Sequence, residues 1–477
     1  MNRIVLLSLL CVLTMTGAMA QDKKATGEQA LINEYYDLMY KQKDEAAANK
    51  VSAKILKKYP HGKYARRVVA EKLGQEKTKE EFFQNADAFR KAFPISEFYK
   101  HPDDQGFVYV NFYNMYSKVL YDSQEYAKLN ELMHEMEFGS LNYLYAHGPM
   151  WMILRAPVDP ATYVEVSKSI IDSMYAKKDV YYDMYGTGEQ PAQSQADRMN
   201  YYLAIEARIC QRSNQFQTAI HYMEMIPDSS RFNEFAEGNE AYAISLKKLG
   251  RNADYVKALE GAASTGLITK NLFAMLKEHY EGLAVKPKAT FDEYYASLKS
   301  EKAHQNLINE VSAGLQDEPF PPFKMTSIKN TVVSSADFAK DDIVVLDFWA
   351  TWCGPCIAAL EGMQMAVNKW ANDPKVKFYF VCTQDKRNDA AVSKIWQRKG
   401  LDADKMLVVY DNVAPGKEEN AQVYHSMIHG SSGIPQKAVL KNGRVRYIAE
   451  GYSGSPSGLM DEISAVIEVL KAEKDHE

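Results

Sequence analysis

The chain has 477 residues, of which 46% are hydrophobic and 25% are charged, and these proportions exclude a disordered or collagen-like chain. The formal net charge of −5 lacks the basic excess of a nucleic-acid binder, so no nucleic-acid partner is expected. Five cysteines are too few for a scaffold built on disulfides. At roughly 100–200 residues per domain, this length predicts about two to four domains.

Residues 1–20 have the pattern of a cleavable export signal. Arg3 supplies the positive start, residues 4–13 form an apolar stretch, and Ala-Met-Ala at 18–20 offers small residues at cleavage spacing. We therefore expect cleavage after Ala20. The apolar stretch is too short to cross a bilayer, and no other stretch reaches about 18 uninterrupted apolar residues, so no membrane span is expected. The sequence predicts an exported protein, periplasmic or otherwise outside the cytosol.

Residues 21–317 have the pattern of a helical domain. Apolar side chains recur at helical spacing, as at Leu31, Tyr35 and Leu38, and prolines punctuate the stretches between successive helices. No run alternates β-branched and polar residues as a strand would. We expect an all-helical domain here, and its subdivision near residues 94–102 is left open.

One stretch of this domain, residues 202–227, resembles a tetratricopeptide repeat. Ala207 and Ala219 take the small positions at which two helices pack closely, and Phe216 takes the aromatic position after the turn. Residues 241–259 look like a poorer second copy. An irregular helical domain without true repeats would produce a similar pattern, so both interpretations stay open.

From residue 318 to 477 the pattern changes to alternating strands and helices. Apolar runs predict strands at 343–349, 376–381, 406–410 and 438–440, and a closing helix is predicted at 458–472. Strands that alternate with helices favour a mostly parallel core sheet. The chain therefore divides into a helical domain and an α/β domain.

The reactive side chains lie in the run from Asp347 to Cys356, DFWATWCGPC, which follows a buried strand and opens a predicted helix. At a helix start, the helix dipole and free backbone N–H groups stabilise a thiolate at Cys353 and lower its pKa. Cys356 lies one turn later, within disulfide reach. This predicts Cys353 as the attacking thiolate and Cys356 as the resolving thiol.

Asp347 lies six residues before Cys353 in an otherwise apolar strand. A carboxylate there is costly unless it has a function or a partner. The functional interpretation makes Asp347 a proton acceptor for Cys356, reached directly or through water. The alternative is a structural aspartate near the end of a strand.

This run and its surroundings resemble the thioredoxin superfamily. Residues 319–338 look like the N-terminal extension of the periplasmic TlpA/ResA-like branch, and residues 438–451 look like the terminal hairpin of the superfamily. The resemblance implies a thioredoxin fold with a central mixed sheet. One departure concerns the active-site helix, where this chain has Glu361 at a position at which the family often has a proline.

The resemblance also implies several supporting residues. Trp352, Gly354 and Pro355 match the family's active-site motif, and Pro435 falls where the family has its cis-proline beside the dithiol. The backbone of Ile434 would then pair with an extended substrate segment. Without the upstream dithiol motif, the Gly-Ile-Pro sequence at this position would be interpreted as an ordinary turn.

The function that this resemblance implies is an exported thiol-disulfide oxidoreductase acting on disulfide-containing protein substrates. The Gly-Pro pair between its cysteines matches thioredoxins proper and favours the reducing direction. A reductase outside the cytosol needs an electron source, and a membrane-embedded donor is expected. No cofactor is expected. The alternative from another class is a scaffold that binds a partner or peptide, in which the thioredoxin fold is regulatory or structural.

Other cysteines and histidines allow competing interpretations. His425 and His429 share a helix face and could join the two active cysteines in a zinc site, but the long gap between the pairs argues against it, so no metal is expected. Cys382 ends a predicted strand and is either a third redox thiol or a buried structural residue. Cys210 is interpreted as a buried small hydrophobe.

Overall fold

The computed structural model describes residues 27–156, 158–185, 195–299, 301–413, 416, 420–430 and 433–473. The predicted export signal lies outside these residues. By their contacts the described residues form two compact units. The first contains the described residues up to Tyr116 together with those from Tyr182 to Tyr185, and the second contains the rest.

The first unit is helical, with the helices α1 Gly27–Tyr36, α2 Glu45–Lys58, α3 Lys63–Ala70, α4 Lys79–Ala92, α5 Ile95–Lys100 and the start of α6 Phe107–Asp122. A π-helical turn, Asp37–Gln42, follows α1. Ile32, Ile55 and Tyr64 form a small apolar core where α1, α2 and α3 meet. Burial of such side chains is the main stabilising contribution here.

The second unit continues with further helices before its sheet. They are α7 Tyr126–Met133, α8 Phe138–His147, α9 Pro149–Arg155, α10 Val164–Lys177, α11 Gln195–Arg212, α12 Phe216–Glu224, α13 Ala236–Lys248, α14 Asn252–Thr265, α15 Lys270–Gly282, α16 Phe291–Leu298 and α17 Glu301–Ala313. A helical region before an α/β region is therefore confirmed. Among the described residues, no helix is long and apolar enough to cross a membrane.

One turn recurs in the helical region. The loops that join α6 to α7, α11 to α12 and α13 to α14 each have three residues, and the middle one is left-handed: Gln124 at φ 58°, Asn214 at φ 59° and Gly250 at φ 71°. The residue after each of these donates its N–H to a carbonyl five positions earlier, at 2.8–2.9 Å. Ala207 and Ala219 are fully buried where α11 packs on α12. The turn recurs as helical repeats predict, while membership of the tetratricopeptide class stays a prediction.

The described residues of the α/β part form one eight-stranded sheet in the order β1-β8-β7-β4-β5-β6-β2-β3. Its strands are β1 Glu318–Pro319, β2 Lys324–Ser327, β3 Val332–Ser334, β4 Ile343–Trp349, β5 Val376–Cys382, β6 Val408–Tyr410, β7 Gln436–Lys441 and β8 Arg444–Glu450. Only β4·β5 and β5·β6 are parallel. The expectation of a mostly parallel sheet is therefore wrong, because hairpins add antiparallel strands at both sides, and the mixed sheet implied by the resemblance is confirmed.

The sheet separates two layers of side chains. Val344, Leu346 and Phe348 of β4 belong to an apolar cluster that includes residues of the short helix α20 Gln422–Met427. Successive side chains of a strand alternate between faces, so Val345 and Asp347 point to the opposite face. On that face lie α18 Gly354–Lys369, α19 Asp389–Lys399 and α21 Pro456–Ala472.

Contacts confirm how the helices of this second face are arranged. Trp396 of α19 packs against Trp349 of β4, with ring centroids 5.1 Å apart. Lys441 of β7 donates to the carbonyl of Leu470 in α21 at 2.6 Å. A Cβ at Gly362 of α18 would lie 2.5 Å from the carbonyl oxygen of Pro456, so α18 and α21 cross at a distance that only glycine allows.

Within the second unit, residues of the helical region bond directly to α18 and α21. The carboxylate of Glu361 accepts from the Lys270 N–H at 2.8 Å, at the start of α15. The hydroxyl of Ser457 donates to the Gly266 carbonyl at 2.5 Å and accepts from the Ile268 N–H at 3.1 Å. The glutamate that departs from the family pattern thus anchors the helical region on the dithiol helix.

Candidate active site

The two cysteines of the predicted dithiol form a disulfide at the start of α18. Cys353 is the N-terminal cap of this helix, and its sulfur accepts from the Cys356 N–H at 3.2 Å. The sulfurs are 1.98 Å apart and the Cα atoms 5.3 Å. Cys353 is 4% exposed and Cys356 1%. On reduction, the free N–H groups and dipole of α18 would stabilise a thiolate at Cys353.

The loop between β4 and α18 is held by residues that follow β5. The N–H and hydroxyl of Thr351 both donate to the Asp385 carboxylate, at 2.9 and 2.6 Å. The Trp352 indole donates to the Gln384 carbonyl at 3.1 Å and is 61% exposed. Asp385 and Gln384 were missed by sequence reasoning. The available signal was that the carboxyl ends of neighbouring parallel strands meet at one edge of a sheet.

The remaining motif residues begin the helix. Gly354 and Pro355 form its first turn and are exposed. Proline is suited to this turn because its missing N–H would have no partner inside the helix. A Cβ at Gly354 would meet no atom within 4 Å, so its predicted supporting role has no steric basis here.

The segment before β7 lies beside the dithiol. The peptide bond between Ile434 and Pro435 is cis, as the sequence predicts. The carbonyl oxygen of Ile434 is 3.7 Å from the Cys353 sulfur. Pro435 is anchored in turn, since its carbonyl accepts from the Gly451 N–H at 2.9 Å. The structure thus brings the predicted supports Ile434 and Pro435 to the attacking cysteine, while their role in substrate binding stays a prediction.

Asp347 is buried on the face of β4 that α18, α19 and α21 cover. It is 2% exposed, and neither carboxylate oxygen has a hydrogen-bond partner among the described residues. Lys437 of β7 is directly opposite in the antiparallel register, with its Nζ 3.8 Å from Oδ1. Burial raises the pKa of Asp347 to about 6, and the charge of Lys437 acts in the lowering direction. A pKa near 6 suits a group that exchanges protons near neutral pH.

Lys437 itself was not found from the sequence. It is fully buried, and its Nζ donates to the Gly451 carbonyl at 3.3 Å. The apolar run that predicted this strand begins at Ala438, whereas β7 begins at Gln436, so Lys437 fell outside the predicted strand. The available signal was a lysine two residues after the predicted cis-proline, whereas its position opposite Asp347 is visible only in the strand register.

Cys382, Cys210, His425 and His429 were the other candidates for chemistry in the sequence. Cys382 is buried at the end of β5, where burial raises its pKa to about 12, which opposes a role as a reactive thiolate. Cys210 is buried in α11, consistent with the predicted small hydrophobe. His425 and His429 are exposed. Within the described part of the chain, no three His, Cys, Asp or Glu side chains lie close enough to hold a metal ion.

Comparisons with known proteins give a family match in the α/β part. The Redoxin family model matches residues 315–459. The thioredoxin of Malassezia sympodialis is 37% identical over 86 residues, which is 17% of this chain and 75% of that protein.

The solved structures that match cover about a third of the chain. A putative protein disulfide isomerase from Bacteroides thetaiotaomicron is 17% identical, and the match covers 32% of this chain and 89% of that chain, with a TM-score of 0.26. A thioredoxin-family thiol:disulfide interchange protein from Chlorobium tepidum is 21% identical and covers 32% and 97%, with a TM-score of 0.25. StoA from Bacillus subtilis is 22% identical and covers 30% and 96%, with a TM-score of 0.23.

Proposed function

The chain belongs to the thioredoxin family, and from this premise we propose that it reduces disulfides in protein substrates by dithiol exchange through Cys353 and Cys356. The observation that carries the proposal is the Cys353–Cys356 disulfide at the start of α18. The disulfide lies at a helix N-terminus, the carbonyl of Ile434 is next to Cys353, and the strand that leads to the disulfide carries the buried carboxylate of Asp347.

The reaction begins with the reduced dithiol. The Cys353 thiolate attacks a substrate disulfide, forms a mixed disulfide and releases one substrate thiolate, which takes up a proton. Cys356 then loses its proton to Asp347, directly or through water, and its thiolate attacks the Cys353 sulfur. The Cys353–Cys356 disulfide forms and the second substrate thiolate leaves. Two electrons pass from the enzyme dithiol to the substrate.

The reducing direction and the location are part of the same proposal. The Gly354-Pro355 pair between the cysteines supports reduction, and the pattern of residues 1–20 supports export to the periplasm. Each turnover leaves the enzyme oxidised, so an exported reductase must be recharged. A membrane-embedded dithiol donor fits this requirement, because glutathione and thioredoxin maintain thiols in the cytosol rather than outside it.

The redox potential of the Cys353–Cys356 pair tests the direction. Equilibration with known glutathione ratios should give a value near that of thioredoxin, about −270 mV. A value near that of DsbA, about −120 mV, would overturn the reducing direction and favour an oxidase.

A substrate trap tests the activity itself. Cys356→Ser keeps the attacking thiolate but cannot resolve the mixed disulfide, so disulfide-linked partners should accumulate on it in a periplasmic extract. Cys353→Ser provides the matched control and should trap none. A wild-type protein that turns over no model disulfide, yet binds a partner equally well with and without Cys353, would instead support the scaffold alternative.

A further inference from the structure

We propose that Tyr424 is a positioning residue of the dithiol site: its buried hydroxyl holds the Gly433 carbonyl, so that the backbone of Ile434 keeps the position in which it can pair with an extended substrate segment. The inference rests on the proposed function and names a residue that governs its substrate-binding step. Tyr424 acts through the backbone of residues 433 and 434 rather than on the substrate itself.

The hydroxyl of Tyr424 lies close to the attacking cysteine along the backbone. Tyr424 belongs to α20 and is 0% exposed, and its hydroxyl donates to the Gly433 carbonyl at 2.9 Å. The next carbonyl, that of Ile434, lies 3.7 Å from the Cys353 sulfur. The carbonyl that Tyr424 holds and the carbonyl beside the dithiol therefore belong to consecutive residues.

The ring of Tyr424 is fixed by the sheet. Its centroid lies 5.3 Å from that of Phe348 in β4, with the ring planes 77° apart. The side chain of Ile434 packs against the same apolar cluster that contains both rings. A ring in a close-packed interior has little freedom to turn, so the hydroxyl stays at one position.

One buried carboxylate anchors the start of α20. Asp411, which follows β6, accepts from the N–H groups of Val423 and Tyr424 at 2.8 and 3.0 Å. Its carboxylate also accepts from the Thr383 hydroxyl at 2.9 Å. The first N–H groups of a helix have no partner inside it, and a carboxylate placed there satisfies them. Asp411 thus determines where α20 begins and, through α20, where the Tyr424 hydroxyl lies.

The same anchor connects to the loop that carries the dithiol. Thr383 donates its N–H to the Trp349 carbonyl at 2.9 Å. The two residues after Thr383 are those that bond to the dithiol loop. Because Asp411 bonds to Thr383, the dithiol loop and the segment before the cis-proline share one buried support. Tyr424 supplies the bond of this support on the cis-proline side.

The position of the Ile434 backbone matters for substrates that pair with it. An extended segment that adds to exposed backbone gains its affinity from main-chain hydrogen bonds. These bonds weaken steeply when donor and acceptor move out of line. Loss of the Tyr424 hydroxyl frees the Gly433 carbonyl to move, so an extended substrate should bind less well. A small disulfide without a main chain should react as before.

The test compares two disulfides of different kinds. Reduced protein is mixed with insulin, whose disulfides lie on a polypeptide, or with 5,5′-dithiobis(2-nitrobenzoate), which has no main chain. Oxidation of the dithiol is followed by rapid quenching and thiol alkylation over a range of insulin concentrations. In Tyr424→Phe the insulin concentration that gives half the maximal rate should rise by about three- to tenfold, the factor that a typical single hydrogen bond contributes. The maximal rate with insulin and the rate with the small disulfide should stay at the wild-type values.

Tyr410→Phe is the matched control. Tyr410 is also buried in the thioredoxin-like region, and its hydroxyl donates to the Asp389 carboxylate at 2.6 Å. The substitution removes a buried hydroxyl bond of the same kind at a place that does not involve residues 433 and 434. The dependence on insulin concentration and the rate with the small disulfide should both stay at the wild-type values.

The outcomes separate this inference from the proposed function. Equal slowing with insulin and with the small disulfide in Tyr424→Phe would indicate a general disturbance of the fold and would overturn the inference. An unchanged insulin dependence, or the same rise in Tyr410→Phe, would also overturn it, with the proposed function intact. A wild-type dithiol that neither disulfide oxidises would overturn the proposed function, on which the inference rests.

A second variant reaches the same carbonyl if Tyr424→Phe does not fold. The side-chain amide of Gln436 also donates to the Gly433 carbonyl, at 3.1 Å. Gln436→Leu removes this bond and leaves Tyr424 in place. It should raise the half-maximal insulin concentration in the same direction, again with an unchanged rate for the small disulfide. A wild-type insulin dependence in Gln436→Leu would show that the Gly433 carbonyl does not govern substrate binding and would contradict the inference.

Discussion

Glu206 in the helical region and Asp347 in the thioredoxin-like region are both buried carboxyl groups, and their surroundings differ. Glu206 accepts from the Ser167 hydroxyl at 2.5 Å and the Tyr145 hydroxyl at 3.0 Å, and the Cys210 thiol lies 3.8 Å away. Asp347 accepts no hydrogen bond among the described residues. Burial raises the pKa of Glu206 to about 7 and that of Asp347 to about 6.

This difference in hydrogen bonding shows how a structural buried carboxyl group can be told from one that is available for proton transfer. Glu206 of α11 joins a hydroxyl of α8 and one of α10, so its hydrogen bonds position three helices. A buried polar group without hydrogen bonds costs about 1–3 kcal/mol, and nothing local offsets that cost for Asp347 except the charge of Lys437. Burial and a raised pKa are common to both residues. The missing hydrogen bonds and the position on the strand that leads into the dithiol loop are what distinguish Asp347.

The largest effect should come from replacing one cysteine by serine in each of the two regions and comparing the activities. Cys353→Ser removes the attacking sulfur, and the rate of insulin disulfide reduction should fall to that of the reaction without enzyme. Cys210→Ser removes a buried thiol of the helical region, where burial raises the pKa well above its ordinary value, and the rate should be unchanged. A loss of activity in folded Cys210→Ser would break the comparison.

The next effect separates the two carboxyl groups. Asp347→Asn cannot accept a proton, and the resolving step at pH 7 should slow by about a hundredfold, at the low end of the range for general acid–base catalysis. Glu206→Gln keeps the shape and should leave that step unchanged. The measurement mixes reduced protein with 5,5′-dithiobis(2-nitrobenzoate) in a stopped-flow instrument. Attack by Cys353 releases one coloured thiolate, and resolution by Cys356 releases a second, whose rate is compared between the variants. Equal slowing in both variants would show that buried carboxyl groups act only through stability.

The raised pKa values of Asp347 and Glu206 should both make the free energy of unfolding depend on pH. Each carboxyl holds its proton in the folded state at pH values where the unfolded chain has lost it, so the free energy of unfolding falls as pH rises through this range. For Asp347 the range runs from 3.8 to about 6, and for Glu206 from 4.5 to about 7. The loss should be roughly 3 kcal/mol for each group.

Urea unfolding between pH 4 and 8 measures these losses. Asp347→Asn should flatten the part of the curve below pH 6, and Glu206→Gln should flatten the part that extends to pH 7. If both variants keep the full wild-type slope, neither carboxyl has the raised pKa on which the comparison depends.

The sequence predicted the dithiol and the fold around it because local patterns determine both. The apolar run at 343–349 coincides with β4, and the two cysteines fall where a helix begins. Pro435 could be placed beside them only through a family resemblance, since the residues between Cys356 and Pro435 set that distance through the fold. The export signal and the site roles remain predictions.

What the sequence could not predict depends on contacts between distant segments. The pairing of Lys437 with Asp347 requires the register of β4 and β7, which a one-residue shift would reverse. The anchoring of Lys270 by Glu361 joins a helix start to the dithiol helix across 91 positions. A substitution at a family proline was visible in the sequence, but its partner was not. The partner is defined only by the tertiary structure.

The smallest predicted effect concerns the bonds between the two regions. Ser457 and Ser464 are both buried in α21. Ser457 bonds to Gly266 and Ile268 of the helical region, whereas Ser464 accepts from the Trp370 indole within the thioredoxin-like region, at 3.2 Å. Ser457→Ala leaves the buried Ile268 N–H without its acceptor, and Ser464→Ala does the same to the partly buried Trp370 indole N–H. Each change should lower the free energy of unfolding by about 1–2 kcal/mol.

The two serine variants should differ in where protection is lost. Amide hydrogen exchange at Ile268 should accelerate in Ser457→Ala and stay at the wild-type rate in Ser464→Ala, because only the first change removes its acceptor. If the two regions unfold as one cooperative unit, both variants should shift a single denaturation transition by similar amounts. A second transition that appears only in Ser457→Ala would show that the contacts between α21 and residues 266–268 are what couple the helical region to the dithiol.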